Sequence, residues 1–201
     1  MKLVDHALST EAYKVRLALS LFGLKADRQV AAIEDALADH EPAASVPALD
    51  VEGARLRGIR EILTSLAPEG WLPRAAQPWL DFAFEALAPF GALRNGMLLE
   101  AAPEGMQAAQ RQVANALVQL DDHLIEQSIR GLPWLAGAAP SLADLASFPA
   151  VALAGDVQLS LDRTPMLARW ASRFAALPGF IPMAGMLTPP PSPEAMDTAS
   201  S

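Results

Sequence analysis

Apolar side chains recur along this chain in two rhythms, a short alternation near the start and a three-and-four spacing through most of the remainder. Lys2 to His6 (KLVDH) alternates and predicts a first strand. Ser9 and Thr10 then precede Ala12, Val15, Leu17, Ala18, Leu19, Leu21 and Phe22, a helical pattern that Gly23 ends at a C-cap position. Asp27 to Ala31 predicts a second strand, although the Ala-rich residues up to Ala38 suit a helix equally. Pro42 to Val46 reads as a loop, and Pro47 to Val51 opens another strand. Glu52-Gly53 is a two-residue turn of the hairpin kind, with Arg55-Leu56 as the return strand. Gly58 to Leu66 predicts a helix with Ile59, Ile62, Leu63 and Leu66 on one face.

Ala67 to Pro73 (APEGWLP) is dense in Pro and Gly and reads as a linker, after which the pattern is helical. Gln77 to Leu87 carries Trp79, Leu80, Phe82, Phe84 and Leu87, and Pro89 with Gly91 should kink or split that helix. Glu104 to Arg130 predicts the longest helix, with Met106, Ala109, Val113, Leu117, Leu120 and Leu124 inside and Gly131 as its stop. Thr164 and Pro165 start a last helix as N-cap and first-turn proline, with Leu167, Trp170 and Phe174 as its inner stripe. From Leu187 onward the composition predicts a disordered tail. The expected organisation is residues 1–67, a linker over 68–76, a helical domain over 77–186, and a tail over 187–201.

The most informative stretch is Gly131 to Pro149, GLPWLAGAAPSLADLASFP. Ser141 stands three residues before Asp144, the S-x-x-D form of a capping box. The Ser141 oxygen can accept from the amide of Asp144, and the Asp144 carboxylate can reach back to the amide of Ser141. Leu142, Ala143, Leu145 and Ala146 make this helix apolar nearly all round, which places it in the middle of a helical core. Asp144 is then buried, and its acceptors must be used up locally.

Composition narrows the function. Hydrophobic residues make up 52% and charged residues 19%, a globular balance. The formal charge of −8 argues against a nucleic acid or an anionic membrane as partner. There is no cysteine, hence no disulfide and no thiolate metal site. Asp5 and His6 interrupt any apolar run after Lys2, so no secretory leader is expected, and no stretch approaches the roughly 18 apolar residues of a membrane span. A soluble, cytoplasmic protein is the expectation. His6, His40 and His123 lack H-x-x-x-H spacing, which indicates no metal site. Asp121-Asp122-His123 reads as the wet face of the long helix.

Leu132-Pro133-Trp134-Leu135-Ala136-Gly137, then Pro140 to Asp144, then Phe148-Pro149, resembles the signature of the helical domain of the glutathione transferase superfamily. Arg163 to Trp170 and Leu177-Pro178-Gly179-Phe180 continue the resemblance in order. It implies an α+β chain: a thioredoxin-like N-terminal domain with a mixed four-stranded sheet, then an all-α C-terminal domain. In that family Ser141 and Asp144 are structural. Val46-Pro47-Ala48-Leu49 resembles the cis-proline turn of the N-terminal domain. The resemblance also implies a homodimer and a small-molecule ligand, with glutathione as cosubstrate. Without cysteine, the cysteine-dependent branches of the superfamily are excluded.

Ser9 is the leading catalytic candidate, because HALSTEAYKVRLALSLFGL resembles the family segment in which a hydroxyl or thiol after the first strand faces the glutathione sulfur. A hydroxyl donor and the positive end of a helix both favour thiolate over thiol. Thr10 is the second hydroxyl, and Tyr13 reads as packing. Ser9 as a simple helix cap is compatible with that role. His6 beside Ser9 suggests a base and nucleophile with no third group placed by the sequence. For substrate binding, the resemblance carries over Val46 and Pro47, whose main chain aligns the peptide.

At the head of the Gly58 helix the sequence departs from the family, with Gly58 and Ile59 where a Glu and a Ser would hold the γ-glutamyl group. The Ile59 amide could still meet a carboxylate. Arg55, Arg57 and Arg60 crowd this turn, either as a solvated basic face or with Arg57 or Arg60 receiving the carboxylate of another small acid. Trp79, Phe82 and Phe84 read as core, or as the lining of a hydrophobic cosubstrate pocket between domains. Two functional classes remain: a transferase joining glutathione to a small hydrophobic electrophile, and a binding or assembly subunit of the same fold that no longer takes glutathione.

Overall fold

The computed structural model describes residues 1–31, 46–99, 105–183 and 186. The expected helix running to Ala38, most of the Pro42 to Val46 loop, Glu104 at the head of the long helix, and the tail from Leu187 lie outside the described residues.

The alternation at the start forms a strand because it gives one face to the core and the other to solvent. In β1 (Lys2–Asp5), Leu3 and Asp5 are the buried positions. β2 (Asp27–Val30) pairs with β1 in parallel, Lys2 opposite Asp27. β3 (Ala48–Val51) pairs with β1 antiparallel, Val4 opposite Ala48, and β4 (Ala54–Leu56) returns along β3. The result is a four-stranded mixed sheet of order β2-β1-β3-β4. The β3–β4 turn is the expected pair, with Glu52 at φ 49° and Gly53 at φ 87°, the left-handed conformation a two-residue hairpin turn requires. The Val46–Pro47 bond is cis.

Helix α1 (Thr10–Leu21) comes after β1 and packs Tyr13, Val15, Leu17 and Ala18 inward. It ends as its sequence predicts. Gly23 sits at φ 65°, its amide donates to the Ser20 carbonyl, and the Leu24 amide donates back to Leu19 at 2.8 Å. Buried Asp5 is balanced by Arg16 of α1 and Arg28 of β2, both of which bind its carboxylate. After β4 comes α2 (Ile59–Leu66), with Ile62, Leu63 and Leu66 buried.

The second half is helical: α3 (Gln77–Glu85), α4 (Pro89–Leu98), α5 (Met106–Ile129), α6 (Leu142–Ala152) and α7 (Pro165–Ala175). Pro89 splits α3 from α4, since a proline ends one helix and begins the next without losing a bond. The linker is tied to both halves. Trp71 packs edge-on against Phe22 at 4.7 Å, and its carbonyl accepts the Leu142 amide at 2.7 Å.

Helix α6 is buried from Leu142 to Val151 and lies against α1, α3 and α7. Its capping box is present. The satisfaction of Asp144 is wider than the sequence suggests. Its carboxylate accepts from the Ser141 amide (2.9 Å) and hydroxyl (2.7 Å), and also from the Leu135 amide (3.0 Å) and the Trp170 indole (2.9 Å). Burial pushes this carboxyl up, against the pull of those donors.

Two further expectations need correction. Thr164 and Pro165 hold the N-cap and first-turn positions of α7 as expected, but the Thr164 hydroxyl makes no cap bond; it donates to the Leu161 carbonyl at 3.1 Å. The cap comes from Asp121 of α5, whose carboxylate accepts the Leu167 amide at 2.8 Å. Asp121 is therefore buried, and of Asp121-Asp122-His123 only Asp122 is exposed. A helix N-terminus takes whichever acceptor packing supplies.

These acids should differ in weight. Asp144→Ala leaves several buried donors without an acceptor and should cost about 3 kcal/mol or more. Asp121→Ala removes one cap and should cost about 1 kcal/mol. Urea midpoints of the two variants should show that order, and equal losses would contradict the shared role of Asp144.

Candidate active site

Strand directions bring three separate segments to one end of the sheet. β1 ends at Asp5, and β3 begins where Ala48 faces Val4. β4 runs antiparallel to β3, so it leaves the sheet at that same end, with Leu56 opposite Leu49. His6 to Thr10, Val46-Pro47 and Arg57 to Ile59 consequently emerge together. Helices α1 and α2 both begin there, each presenting unpaired amides and the positive end of its dipole.

Ser9 is the N-cap of α1, and its Oγ accepts from the Ala12 amide at 3.1 Å. A hydroxyl that accepts through a lone pair retains its own proton to donate. The side chain is held at a helix head within the site, so capping and catalysis are compatible on this geometry. Thr10 is buried and turned toward α4: a Cβ placed on Gly91 would lie 3.4 Å from its Oγ1. His6 serves the loop, its Nδ1 accepting from the Leu8 amide at 3.2 Å and its carbonyl from Ser9 at 3.1 Å. Tyr13 donates to the Ile181 carbonyl at 2.9 Å, and burial pushes its phenol above the ordinary range, which fits packing.

At the head of α2, Gly58 is the N-cap and makes no side-chain cap bond. Ile59 is half-buried. Glu61, in the first turn, brings its Oε2 to 3.9 Å from the point where a Gly58 side chain would start. Arg55 forms a bidentate pair with Asp50 at 2.7 and 2.8 Å and holds that carboxyl below the usual range, with Lys2 and Arg57 adding to the effect. Arg60 reaches away from the sheet end. It pairs with Asp81 of α3 and lies over the Phe84 ring at 4.7 Å, joining the two halves of the chain.

The expected aromatic cluster is partly buried against the core. Trp79 stacks on His123 at 3.8 Å, and the His123 Nε2 lies 2.8 Å from the Leu135 carbonyl. The residue that sequence reasoning missed is Arg94. It is 3% exposed, pairs with Asp156 at 2.7 Å, and donates to the carbonyl of Leu8, next to Ser9, also at 2.7 Å. An arginine in the middle of an amphipathic helix gives no such signal by itself. Among the described residues no group of His, Asp and Glu could hold a metal ion, and no helix is long and apolar enough to cross a membrane.

A four-stranded mixed sheet with a cis-proline turn and a docked helical half define a thioredoxin-like domain followed by an all-α domain. Residues 92–178 match the family model of the glutathione S-transferase C-terminal domain. No curated protein matches the chain. A possible glutathione S-transferase from Rhodopseudomonas palustris is similar at 24% identity and a TM-score of 0.80, over 92% of this chain and 98% of that one. A glutathione S-transferase from Pseudomonas fluorescens aligns at 27% identity and a TM-score of 0.76, covering 90% and 98%. A maleylacetoacetate isomerase from Anaeromyxobacter dehalogenans, solved with glutathione in its active site, aligns at 24% identity and a TM-score of 0.67, covering 89% and 92%. Residues 92–178 thus carry a glutathione S-transferase C-terminal domain, and the chain as a whole has the fold of the glutathione S-transferases.

The Arg60–Asp81 pair is a solvent-reached clasp, so Arg60→Met should lower stability by no more than about 1 kcal/mol. A thermal melt of the variant at low and at high salt checks this, and a larger, salt-independent loss would show a buried role instead.

Proposed function

We propose that this chain is a glutathione transferase-like enzyme that joins the glutathione sulfur to a small hydrophobic electrophile. The observation that carries this reading is the meeting of the Ser9 hydroxyl, the Val46-Pro47 main chain and the bare head of α2 at one end of the sheet. In the proposed reaction the thiol gives its proton to solvent water, Ser9 donates a hydrogen bond to the thiolate, and the sulfur forms a bond to electrophilic carbon. The electrons leave with a displaced group or pass to a neighbouring atom that is then protonated. The dipole of α1 acts in the same sense as Ser9. Val46 aligns the tripeptide backbone, and the Ile59 amide meets a carboxylate at the head of α2. Glu61, through the placement of its Oε2 beside Gly58, is the acid available for the ammonium group. As in the resembled family, the working form is a homodimer.

A second reading draws on the head of α2 itself. Gly58 and Ile59 offer neither an acid nor a hydroxyl there. A chain that cannot hold the γ-glutamyl group would serve as a non-catalytic binding or assembly subunit of the same fold.

A melting curve with millimolar glutathione separates the two, because a ligand that binds only the folded state raises the melting temperature by mass action. The enzyme reading expects a rise and measurable conjugation of a general aryl halide; folded protein that shows neither would favour the binding subunit. Ser9→Ala should lower the conjugation rate more than tenfold with little change in glutathione affinity. Glu61→Gln should weaken that affinity by about ten- to a hundredfold, the worth of one hydrogen bond to a charged group. Titration calorimetry measures the second effect, and an unchanged constant would remove Glu61 from the site.

A further inference from the structure

Three consecutive carbonyls lead into Ser9, and arginine side chains hold all of them. Arg16 of α1 donates to the carbonyls of His6 (3.0 Å) and Ala7 (3.2 Å) while paired with buried Asp5. The carbonyl of Leu8 is taken by Arg94, from α4 in the other half of the chain, at 2.7 Å. Arg94 is itself fixed, since its Nε donates to Asp156 in the short helix Ala154–Val157 at 2.7 Å. One turn earlier on α4, Gly91 leaves room for the Thr10 hydroxyl. The same face of α4 therefore touches the residues on both sides of Ser9.

We propose that Arg94 is a positioning residue for Ser9: it transmits the packing of the helical half to the active-site hydroxyl by fixing the peptide plane between Leu8 and Ser9. The Leu8 carbonyl belongs to the same peptide group as the Ser9 amide. Rotating that plane would swing the Ser9 amide off the His6 carbonyl and move Oγ relative to the Ala12 amide it accepts from. A planar guanidinium suits the task, because its separate nitrogens can bind a carboxylate and a carbonyl at once. Lysine carries its donors on one atom and reproduces the two-sided grip poorly. Because Arg94 is buried, a bond to the carbonyl is little weakened by competing water.

The proposal rests on the catalytic reading of Ser9 for its functional consequence but not for its structural one, so the test has two arms. The first uses the unliganded protein and hydrogen exchange. In Arg94→Met the amides of Ser9 and Ala12 should exchange about tenfold faster relative to amides later in α1, such as Leu17 and Leu19. Arg94→Lys, which keeps the charge and guards against a misfolded methionine variant, should fall between. A uniform rise along α1, or none, would overturn the proposal whatever the protein catalyses.

The second arm applies where the wild type conjugates glutathione. The acid limb of its pH–rate profile should move about one unit toward higher pH in Arg94→Met, because a misplaced hydroxyl stabilises the thiolate less. The rate constant should fall more than KM changes, and Arg94→Lys should restore part of it. A profile that stays in place with a normal rate overturns the link to Ser9. A wild type inert toward glutathione defeats the transferase reading alone, and the exchange arm then decides whether Arg94 holds the loop.

Discussion

A fully buried carboxylate organises the helical half of this protein. Asp144 would be untenable there unpaired, since desolvating an isolated charge costs several kcal/mol. Its oxygens instead accept from the start of α6, from the loop carrying Leu135, and from the Trp170 ring of α7. The donors need that acceptor as much as it needs them. A shift of α6 by part of a turn would orphan groups on three segments together, so the central helix has one available register. Phe148 of α6 stacks on Phe174 of α7 at 4.5 Å inside the frame so fixed.

From that frame the order passes outward to the sheet. The Leu142 amide binds the Trp71 carbonyl, which pins the linker to the head of α6. Trp71 packs on Phe22 of α1, Arg60 of α2 reaches Asp81 of α3, and Arg94 of α4 reaches the Leu8 carbonyl. These ties have different strengths. The Arg60 pair is open to water and contributes little, whereas Arg94 is itself buried although its partner Asp156 is exposed. The Ser9 hydroxyl thus takes its place from both halves of the chain, and Ser9 could not be expected to hold the same geometry in the first sixty-odd residues alone.

At the sheet end, chemistry and recognition are unevenly developed. The parts that the proposed reaction assigns to the sulfur are in place: a capping hydroxyl, a helix dipole and a proline turn. The parts that would grip the far end of a tripeptide are reduced to backbone amides and one nearby glutamate. On the proposed reading such a site relies on main-chain polarity for orientation, and its rate, more than its affinity, depends on how well the loop before Ser9 is held.

Much of this was determined by the sequence alone. Lys2 to His6, the Glu52-Gly53 turn, the Gly23 stop and the Ser141–Asp144 box are local patterns, in which a few neighbouring residues settle the backbone. Helical spacing likewise marks Val113, Leu117, Leu120 and Leu124 as interior, and each is buried. The tertiary structure alone decided the long-range partners. Asp121 reads as a solvated acid because its own helix gives no hint of the α7 amide it caps. Arg60 reads as part of a solvated basic face or as a ligand group until Asp81 is brought beside it, and Arg94 carries no local mark because Leu8 is remote in sequence. Spacing along a chain reports which face of an element turns inward. It cannot report which donor from another element will be waiting there, because that depends on how separate elements pack.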